Sequence, residues 1–502
     1  MYKIGTRGSL LAVTQCTLVK NQLEALSGEK FELHLIKTQG DQITDKPLWQ
    51  LEGKDFFTKE LDEALLNGTV DMVVHSYKDL GSERPEGISL ATITERRYAH
   101  DVLLVPKANV EKLKHWSGDF IVGTSSPRRI VNLTRDLPAF LPHSPKIKCE
   151  TLRGNINTRI QKLRDGKYHA ITLALAGIDR LAQMDSSRAE LEKLLEGLTF
   201  AILPLSVFPT AAAQGALAIE MRSDRTDGGK LEGILKKLHH APTAEEVGRE
   251  RIAFKSYGGG CHLAVGIHVR AIESDFLHFH RGETDGRDIR VKQREGASAP
   301  AQKPSKVFLG QGDAVGTLSD TLYVKKSSGA AAPVSGKHVF VTTSHVLPSL
   351  KPGAQTLWAA GPETRKKMVA QGLWVHGGAD SLGHEELLKL AQSKALQLMM
   401  GAGEWLVLSH DKATSPVGPV FAGYSTAMTK PTPAQHAELA GITHAWWSSF
   451  PQFEAYVQAV PELASAQHYC GLGKTWKAFR EHSLSVIALT DQNEFLKLMG
   501  LK

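Results

Sequence analysis

The stretch Val70-Asp71-Met72-Val73-Val74-His75-Ser76-Tyr77-Lys78-Asp79-Leu80 passes from an apolar run straight into a polar, charged one. The Val70 to Val74 run reads as a buried strand that ends at the polar residues. Ahead of it, Phe57, Leu61, Ala64 and Leu65 fall at helical spacing, and Asn67-Gly68 supplies a helix stop. Beyond it the same alternation returns. Phe120-Ile121-Val122 leads into Gly123-Thr124-Ser125-Ser126-Pro127-Arg128-Arg129, where Ser126 suits an N-cap and Pro127 a first helical residue. After Leu152-Arg153-Gly154-Asn155, the residues Ile156, Ile160 and Leu163 share one helical face, Gly166 ends it, and Tyr168 to Ala176 reads as the next strand. Strand and helix in regular alternation predict α/β layers with mostly parallel sheets. Ligands then gather at the C-terminal ends of strands, near helix N-termini.

The chain has 502 residues, enough for three or four domains at about 150 residues each. Its four cysteines, Cys16, Cys149, Cys261 and Cys470, include no C-x-x-C pair, so no metal or redox centre is expected. Four scattered thiols in a long chain do not make a disulfide scaffold either. The net charge of +7 favours acidic ligands. No long Lys/Arg run and no aromatic-basic motif accompanies it, which argues against nucleic acid. The N-terminus has no apolar core of signal-peptide length, and no run approaches the roughly 18 apolar residues that span a bilayer. A cytoplasmic protein without membrane contact is expected.

Residues 221–290 have a different texture. A helix-like stretch, Leu231 to Leu238, precedes a strand-rich segment around Gly258-Gly259-Gly260-Cys261, as in a small α+β domain. Residues 294–336 have mostly linker composition, with a short strand at Lys306 to Leu309. Residues 337–502 are α/β again and carry a weak internal repeat. Lys337-His338-Val339-Phe340-Val341-Thr342-Thr343-Ser344 matches Thr443-His444-Ala445-Trp446-Trp447-Ser448-Ser449, and Gly361-Pro362-Glu363-Thr364 starts a helix as Gly473-Lys474-Thr475 does. The latter is not a phosphate loop, because its required earlier glycine is His468.

Three features could carry chemistry. Arg7, Arg128, Arg129, Arg153, Arg159 and Arg180 fall at strand ends or helix starts, with Lys54 and Lys59 nearby in sequence. Adjacent Arg128-Arg129 at a helix N-terminus suits carboxylate or phosphate; scattered ion pairs are the plainer reading. Asp79 sits among basic neighbours, either as a cap or ion-pair residue or as a carboxylate that stabilises a cation and moves protons. Cys261 follows three glycines, either buried on a turn or presented as a covalent attachment point.

Seven motifs then converge in order: Thr6-Arg7-Gly8-Ser9-Leu10-Leu11-Ala12, His75 to Leu80, Gly123 to Arg129, Leu152-Arg153-Gly154-Asn155-Ile156-Asn157-Thr158-Arg159, Ala176-Gly177-Ile178-Asp179-Arg180-Leu181, Gln214-Gly215-Ala216-Leu217-Ala218-Ile219-Glu220 and Gly259-Gly260-Cys261. Over about residues 1–290 the chain resembles the hydroxymethylbilane synthase family, also called porphobilinogen deaminases. The resemblance implies condensation of four porphobilinogen units, with loss of ammonia through an azafulvene, on a dipyrromethane primer. It implies that Cys261 holds that dipyrromethane through a thioether and that Asp79 is the catalytic carboxylate. It further implies cofactor contacts from Lys54, Asp79, Ser125, Ser126, Arg128, Arg129 and Arg153. Substrate contacts would come from Arg7, Ser9, Arg153, Arg159 and Arg180. Porphobilinogen and the growing oligopyrrole are the partners it implies, and a monomer is expected.

The fold implied is two periplasmic-binding-protein-like lobes plus a small α+β cofactor domain, followed by a second α/β two-lobed unit. The boundaries expected are 1–95 with 190–220 for the first lobe, 96–189 for the second, 221–293 for the cysteine-bearing domain, 294–336 for a linker and 337–502 for the last region. That last region resembles the uroporphyrinogen III synthase family at the Thr343-Ser344 and Ser448-Ser449 strand ends and the Gly361-Pro362 helix start, so a second activity is a candidate.

Five positions depart from the first family's pattern: Gln50, Asp55, Gly81, Ala213 and Ala264. A two-lobed carboxylate-binding protein without catalysis is the alternative reading, although such a protein has no use for a glycine-presented thiol.

Overall fold

Strand β1 (Tyr2–Arg7), buried continuously over Ile4, Gly5 and Thr6, seeds the first sheet, running parallel to β2 (Phe31–Ile36) and β3 (Met72–Ser76). The computed structural model describes residues 1–38, 58–81, 83–260, 262–273, 275–296 and 304–501. β10 (Leu217–Arg222) lies antiparallel between β3 and β4 (Ile88–Ile93), completing the order β2-β1-β3-β10-β4. Ile4, Met72, Ile219 and Leu235 form its core with Cys16, Val19 and Leu23 of helix Leu10–Ser27. Cys16 is thus a buried small hydrophobe, as its isolation in sequence suggests.

A second sheet has the same plan. β5 (Asp101–Pro106), β6 (Asp119–Gly123), β7 (Lys146–Glu150), β8 (Ala170–Ala174) and β9 (Leu198–Ile202) form the order β7-β6-β8-β5-β9. β9 pairs antiparallel with β5, Val102 opposite Ile202. Residues 190–202 therefore belong with the second sheet and not, as the sequence suggested, with the first. An apolar strand has no label for which of two sheets it joins; the pairing partner decides. The chain crosses between the sheets twice, over residues 94–100 and 203–216. Gly215 lies where the crossings touch: at φ +96°, a Cβ there would meet the Arg97 carbonyl oxygen at 2.9 Å, so only glycine fits.

Helix Ala241–Ser256 follows. It was not legible in the sequence, because it carries no clean apolar stripe and buries only Thr243, Val247 and Glu250. The strands expected near Gly258 begin instead at β11 (Ala264–Ile272), which forms a three-stranded sheet with β12 (Asp275–Thr284) and β13 (Arg287–Arg294).

Two units separate in the structure. The first comprises Met1–Ala271, Phe279–Val291 and Gln392–Gly401; the second comprises Ile272–His278, Lys292–Ala391 and Ala402–Lys502. Within the first, helix Lys394–Met400 packs on helix Leu175–Gln183, and Ser393 Oγ donates to Asp179 Oδ1 at 2.7 Å.

The second unit holds two sheets. The stretch 294–336, expected to be mostly linker, supplies three strands to them: β14 (Val307–Leu309), β15 (Thr317–Ser319) and β16 (Tyr323–Ser327). β14 is internal to its sheet, between β15 and β22 (His444–Trp447). β14 is the short strand expected at Lys306 to Leu309; β15 and β16 lie where loop composition outvoted pattern. The internal repeat is visible in the backbone. β17 (His338–Val341) and β22 run into Thr343 and Ser449, both at φ −156°, ψ 154°, and both side chains cap the helical turn that follows. Among the described residues no helix is long and apolar enough to cross a membrane.

Candidate active site

The C-terminal end of β3 places the carboxylate. Tyr77–Asp79 form a single 3-10 turn whose Tyr77 is buried while Asp79 is exposed. Gln15, from helix Leu10–Ser27, bonds Ser76 Oγ at 3.0 Å and fixes the strand end below the turn. β1 runs parallel beside β3, so Arg7 and the N-cap Ser9 emerge from the same edge; Ser9 Oγ accepts the Ala12 N–H at 3.3 Å.

The second sheet answers with its own strand ends. β6 and β7 are parallel and in register, Gly123 opposite Glu150, so their following loops leave together. Ser125 Oγ donates to the Leu152 carbonyl at 2.8 Å and accepts the Leu152 N–H at 3.1 Å, which ties the two loops. Ser126 is the N-cap of helix Pro127–Asp136, as expected, but makes no side-chain cap hydrogen bond. Asn155 caps helix Ile156–Arg164 by accepting from the Thr158 N–H at 2.8 Å.

Electrostatics show which groups share the space. Lys78 is pushed down to about 8 by burial, with Arg129 and Arg128 adding to the effect and Asp79 opposing it. Arg159 is pushed down to about 10 by burial, with Arg129 and Arg153 adding and Asp79 again opposing. Asp79 and Arg129 occur in both sets. The Asp79 carboxylate of the first sheet and Arg159 of the second therefore lie within one another's field. Arg153 is half-buried, and its Nε is buried with no hydrogen-bond partner among the described residues. Burial lowers its pKa as well.

Several of the predicted arginines make hydrogen bonds within the protein, among them Arg159, whose Nε donates to the Gly154 carbonyl at 2.7 Å. Arg129 forks onto Asp101, with Nε at 2.9 Å and Nη2 at 2.6 Å, and Arg128 Nη1 reaches Asp101 at 2.9 Å. Burial alone would raise the Asp101 carboxyl, but Arg128 and Arg129 outweigh it and hold it far below the usual carboxylate range. Arg180 is only 5% exposed and donates to the Gly215 carbonyl at 2.7 Å; burial pushes it down to about 10. It faces the crossover.

Cys261 and Lys54 lie outside the described residues, as do Gln50 and Asp55. The approach to Cys261 is described: Gly258, Gly259 and Gly260 have φ of +102°, +63° and +90°. Three consecutive residues in the left-handed region require glycine, so the glycine run shapes the loop that leads into the thiol.

Sequence reasoning missed Asp101, Gln214 and Glu250. Gln214 donates to the Ala99 carbonyl at 2.7 Å and to Asp101 at 2.9 Å, and its Oε1 accepts from Lys78 at 3.3 Å. It thereby links the Asp79 turn to the Arg128–Arg129 pair. The available signal was a polar residue inside a long apolar, small-residue run. Asp62, His75 and Glu220 lie close enough to share a cation, yet Arg84 pairs with both carboxylates, reaching Glu220 at 2.7 Å. That cluster is an internal ion-pair network of the first sheet.

Residues 2–229 match the family described as "Porphobilinogen deaminase, dipyromethane cofactor binding domain". The porphobilinogen deaminase of Nitratidesulfovibrio vulgaris (strain DP4) is 37% identical over 335 residues, covering 65% of this chain and 98% of that protein. The porphobilinogen deaminase of Synechococcus elongatus is 37% identical over 309 residues, covering 61% and 89%. Among solved structures, a uroporphyrinogen-III synthetase from Helicobacter pylori 26695 covers 39% of this chain and 99% of its own at 12% identity, with a TM-score of 0.28, too low to bear on either fold or activity. With one relative covered almost end to end at 37% identity, the chain belongs to the porphobilinogen deaminase family.

Proposed function

We propose that this chain is a hydroxymethylbilane synthase that joins four porphobilinogen molecules head to tail, releasing ammonia, to give linear hydroxymethylbilane. The observation that carries this reading is that Asp79, at the end of β3, acts on both Lys78 and Arg159, the cations on which Arg129 also acts. Two sheets joined by two crossovers suit a pair of hinged, periplasmic-binding-protein-like lobes, with residues 221–293 as the third domain and the substrate between the lobes.

The residues present suit a dipyrromethane. Arg153 Nε is a buried donor with no partner among the described residues, which a carboxylate of the cofactor would satisfy. The three left-handed glycines bring the chain to Cys261 on a loop slim enough to lie against a flat ring system. Once bound, the dipyrromethane supplies a pyrrole carbon that attacks the incoming substrate. Lys54, Ser125, Ser126, Arg128, Arg129 and Arg153 hold its carboxylates. Arg7, Ser9, Arg159 and Arg180 serve those of the substrate. Each charge-assisted hydrogen bond contributes about 1.5–3 kcal/mol, so several of them select for a ligand bearing many carboxylates. Asp79 does not serve affinity, because it repels those groups. Its anion stabilises positive charge at the pyrrole nitrogen and takes up the proton released there. Asp79→Asn is expected to fold and bind porphobilinogen while losing on the order of 100-fold or more in turnover. Near-normal turnover in that variant would remove Asp79 from this role.

A second reading concerns the C-terminal unit, proposed here as a uroporphyrinogen III synthase. Basic groups from both halves of its repeat gather at strand ends. Lys325 Nζ lies 3.4 Å from His345 Nε2, and Lys367 Nζ donates to Ser344 Oγ at 3.4 Å. Burial lowers His410, and Lys474, at the helix start of the other half, lowers it further. Such a cluster suits a product that carries several carboxylates. Hydroxymethylbilane closes on its own to the type I ring, so cyclised product enriched in the type III isomer supports this activity, whereas type I alone refutes it.

A further inference from the structure

We propose that Arg251 is a positioning residue that holds the Asp79 turn in its working geometry, an inference that rests on the reading of Asp79 as the reacting carboxylate. Arg251 lies on helix Ala241–Ser256, far from Asp79 in sequence. Its Nη1 donates to the Tyr77 carbonyl at 3.4 Å and to the Leu80 carbonyl at 3.0 Å, and its Nη2 donates to the Gly81 carbonyl at 2.8 Å. The guanidinium carbon also stands 4.6 Å from the centroid of the Tyr77 ring, a cation–π distance.

These acceptors bracket Lys78 and Asp79 on both sides. A turn of three residues has little internal hydrogen bonding, and its own bond, Leu80 N–H to the Tyr77 carbonyl, is 3.3 Å long. Gly81 beyond it has the least restricted backbone of the segment. A planar fork that binds three carbonyls at once removes that freedom, and no single ammonium reproduces its geometry. Burial lowers the Arg251 pKa, Arg84 adds to the effect, and Tyr77 and Glu220 oppose it, while Nη1 and Nη2 donate to backbone carbonyls. A half-buried cation satisfied by backbone carbonyls fixes their direction.

The same helix reaches two further places. The preceding residue, Glu250, accepts from Arg96 Nη1 at 2.7 Å and from the Ala213 N–H at 2.7 Å, and so grips both crossovers between the sheets. The helix then ends at Ser256 and leads through Gly258, Gly259 and Gly260 to position 261. One rigid element therefore sets the Asp79 turn against both the crossovers and the cysteine loop. Arg251 touches no reacting atom; it acts through the turn.

The test compares Arg251→Gln, Arg251→Lys and Asp79→Asn as full-length, cofactor-loaded proteins. Intact mass gives the loading, and kcat and KM are measured separately. A misplacement of about 1 Å costs on the order of 100-fold in rate, so Arg251→Gln is expected to lose that much kcat with KM and loading unchanged. Arg251→Lys recovers part of the loss. Arg251→Gln with kcat within about two-fold of the parent, or with its loss entirely in KM, overturns the proposal. If Arg251→Gln does not fold, Arg251→Lys decides: a kcat loss of about five-fold or more at constant KM supports positioning, and a smaller loss overturns it. Asp79→Asn separates the two ideas. A dead Asp79→Asn beside an unimpaired Arg251→Gln sinks this proposal alone, whereas an active Asp79→Asn sinks the reading on which it rests.

Discussion

Ala213 holds φ +64°, a left-handed conformation that L side chains disfavour, and its N–H is pinned to Glu250 Oε2 at 2.7 Å. The strain is about 1–2 kcal/mol, part of which a glycine would return through its freer unfolded chain. Ala213→Gly is therefore expected to stabilise the protein by up to about 1 kcal/mol, raising the melting temperature by about 2 °C. Calorimetry checks this, and a drop in melting temperature would show that the crossover is relaxed as it stands. Arg153 makes the opposite case. Its Nε, in a buried position, lacks a partner among the described residues, so its value lies in binding. Losing one charge-assisted bond of about 1.5–3 kcal/mol makes Arg153→Gln about 10- to 100-fold poorer in kcat/KM. Steady-state kinetics with porphobilinogen measure it, and an unchanged kcat/KM would place Arg153 outside the binding surface.

Helix Ala241–Ser256 is where stability and site meet. Glu250 is fully buried and accepts from Arg96, the Ala213 N–H and the Val269 N–H, with His268 beside it. Burial alone would raise its carboxyl; Arg96, then His268, bring it down to about 2. A carboxyl depressed in the fold stabilises it fully above the unfolded value, near 4.5, and that contribution fades as pH falls toward 2. Stability measured from pH 5 downward should fall steeply in the parent. Glu250→Gln should be destabilised at neutral pH by about 3–5 kcal/mol, since Arg96 is left buried without its anion, and should show a shallower acid slope. Equal slopes would mean another group dominates acid unfolding. This helix also marks the limit of what was legible. Alternating apolar strands and capped helices announced the α/β layers, since each buries a face with a clear period. Ser126-Pro127 announced the start of helix Pro127–Asp136 because helix-start signals are local, although Ser126 makes no side-chain cap bond. Helix Ala241–Ser256 hid because its buried face includes a carboxylate and a threonine. The pairing of Arg128 and Arg129 with Asp101 hid because it joins a helix start to a strand start about 27 residues away in sequence. Strand β14 was legible at Lys306 to Leu309, whereas β15 and β16 hid inside a segment of linker composition.

At the scale of the whole chain, residues 304–501 form two sheets with a repeated strand-and-cap pattern, while Gln392–Gly401 is clustered with the first unit. If both units are enzymes, hydroxymethylbilane made by one is the substrate of the other, and type III product should form without added synthase. Every part of this account rests on an oligopyrrole anchored at Cys261 among guanidinium groups around Asp79. The most direct measurement is the intact mass of the purified full-length protein beside that of Cys261→Ser. The account predicts a parent heavier than its sequence by one dipyrromethane and a variant at its bare sequence mass. A folded parent with porphobilinogen turnover but no added mass, or a Cys261→Ser protein that still carries the adduct, would contradict it.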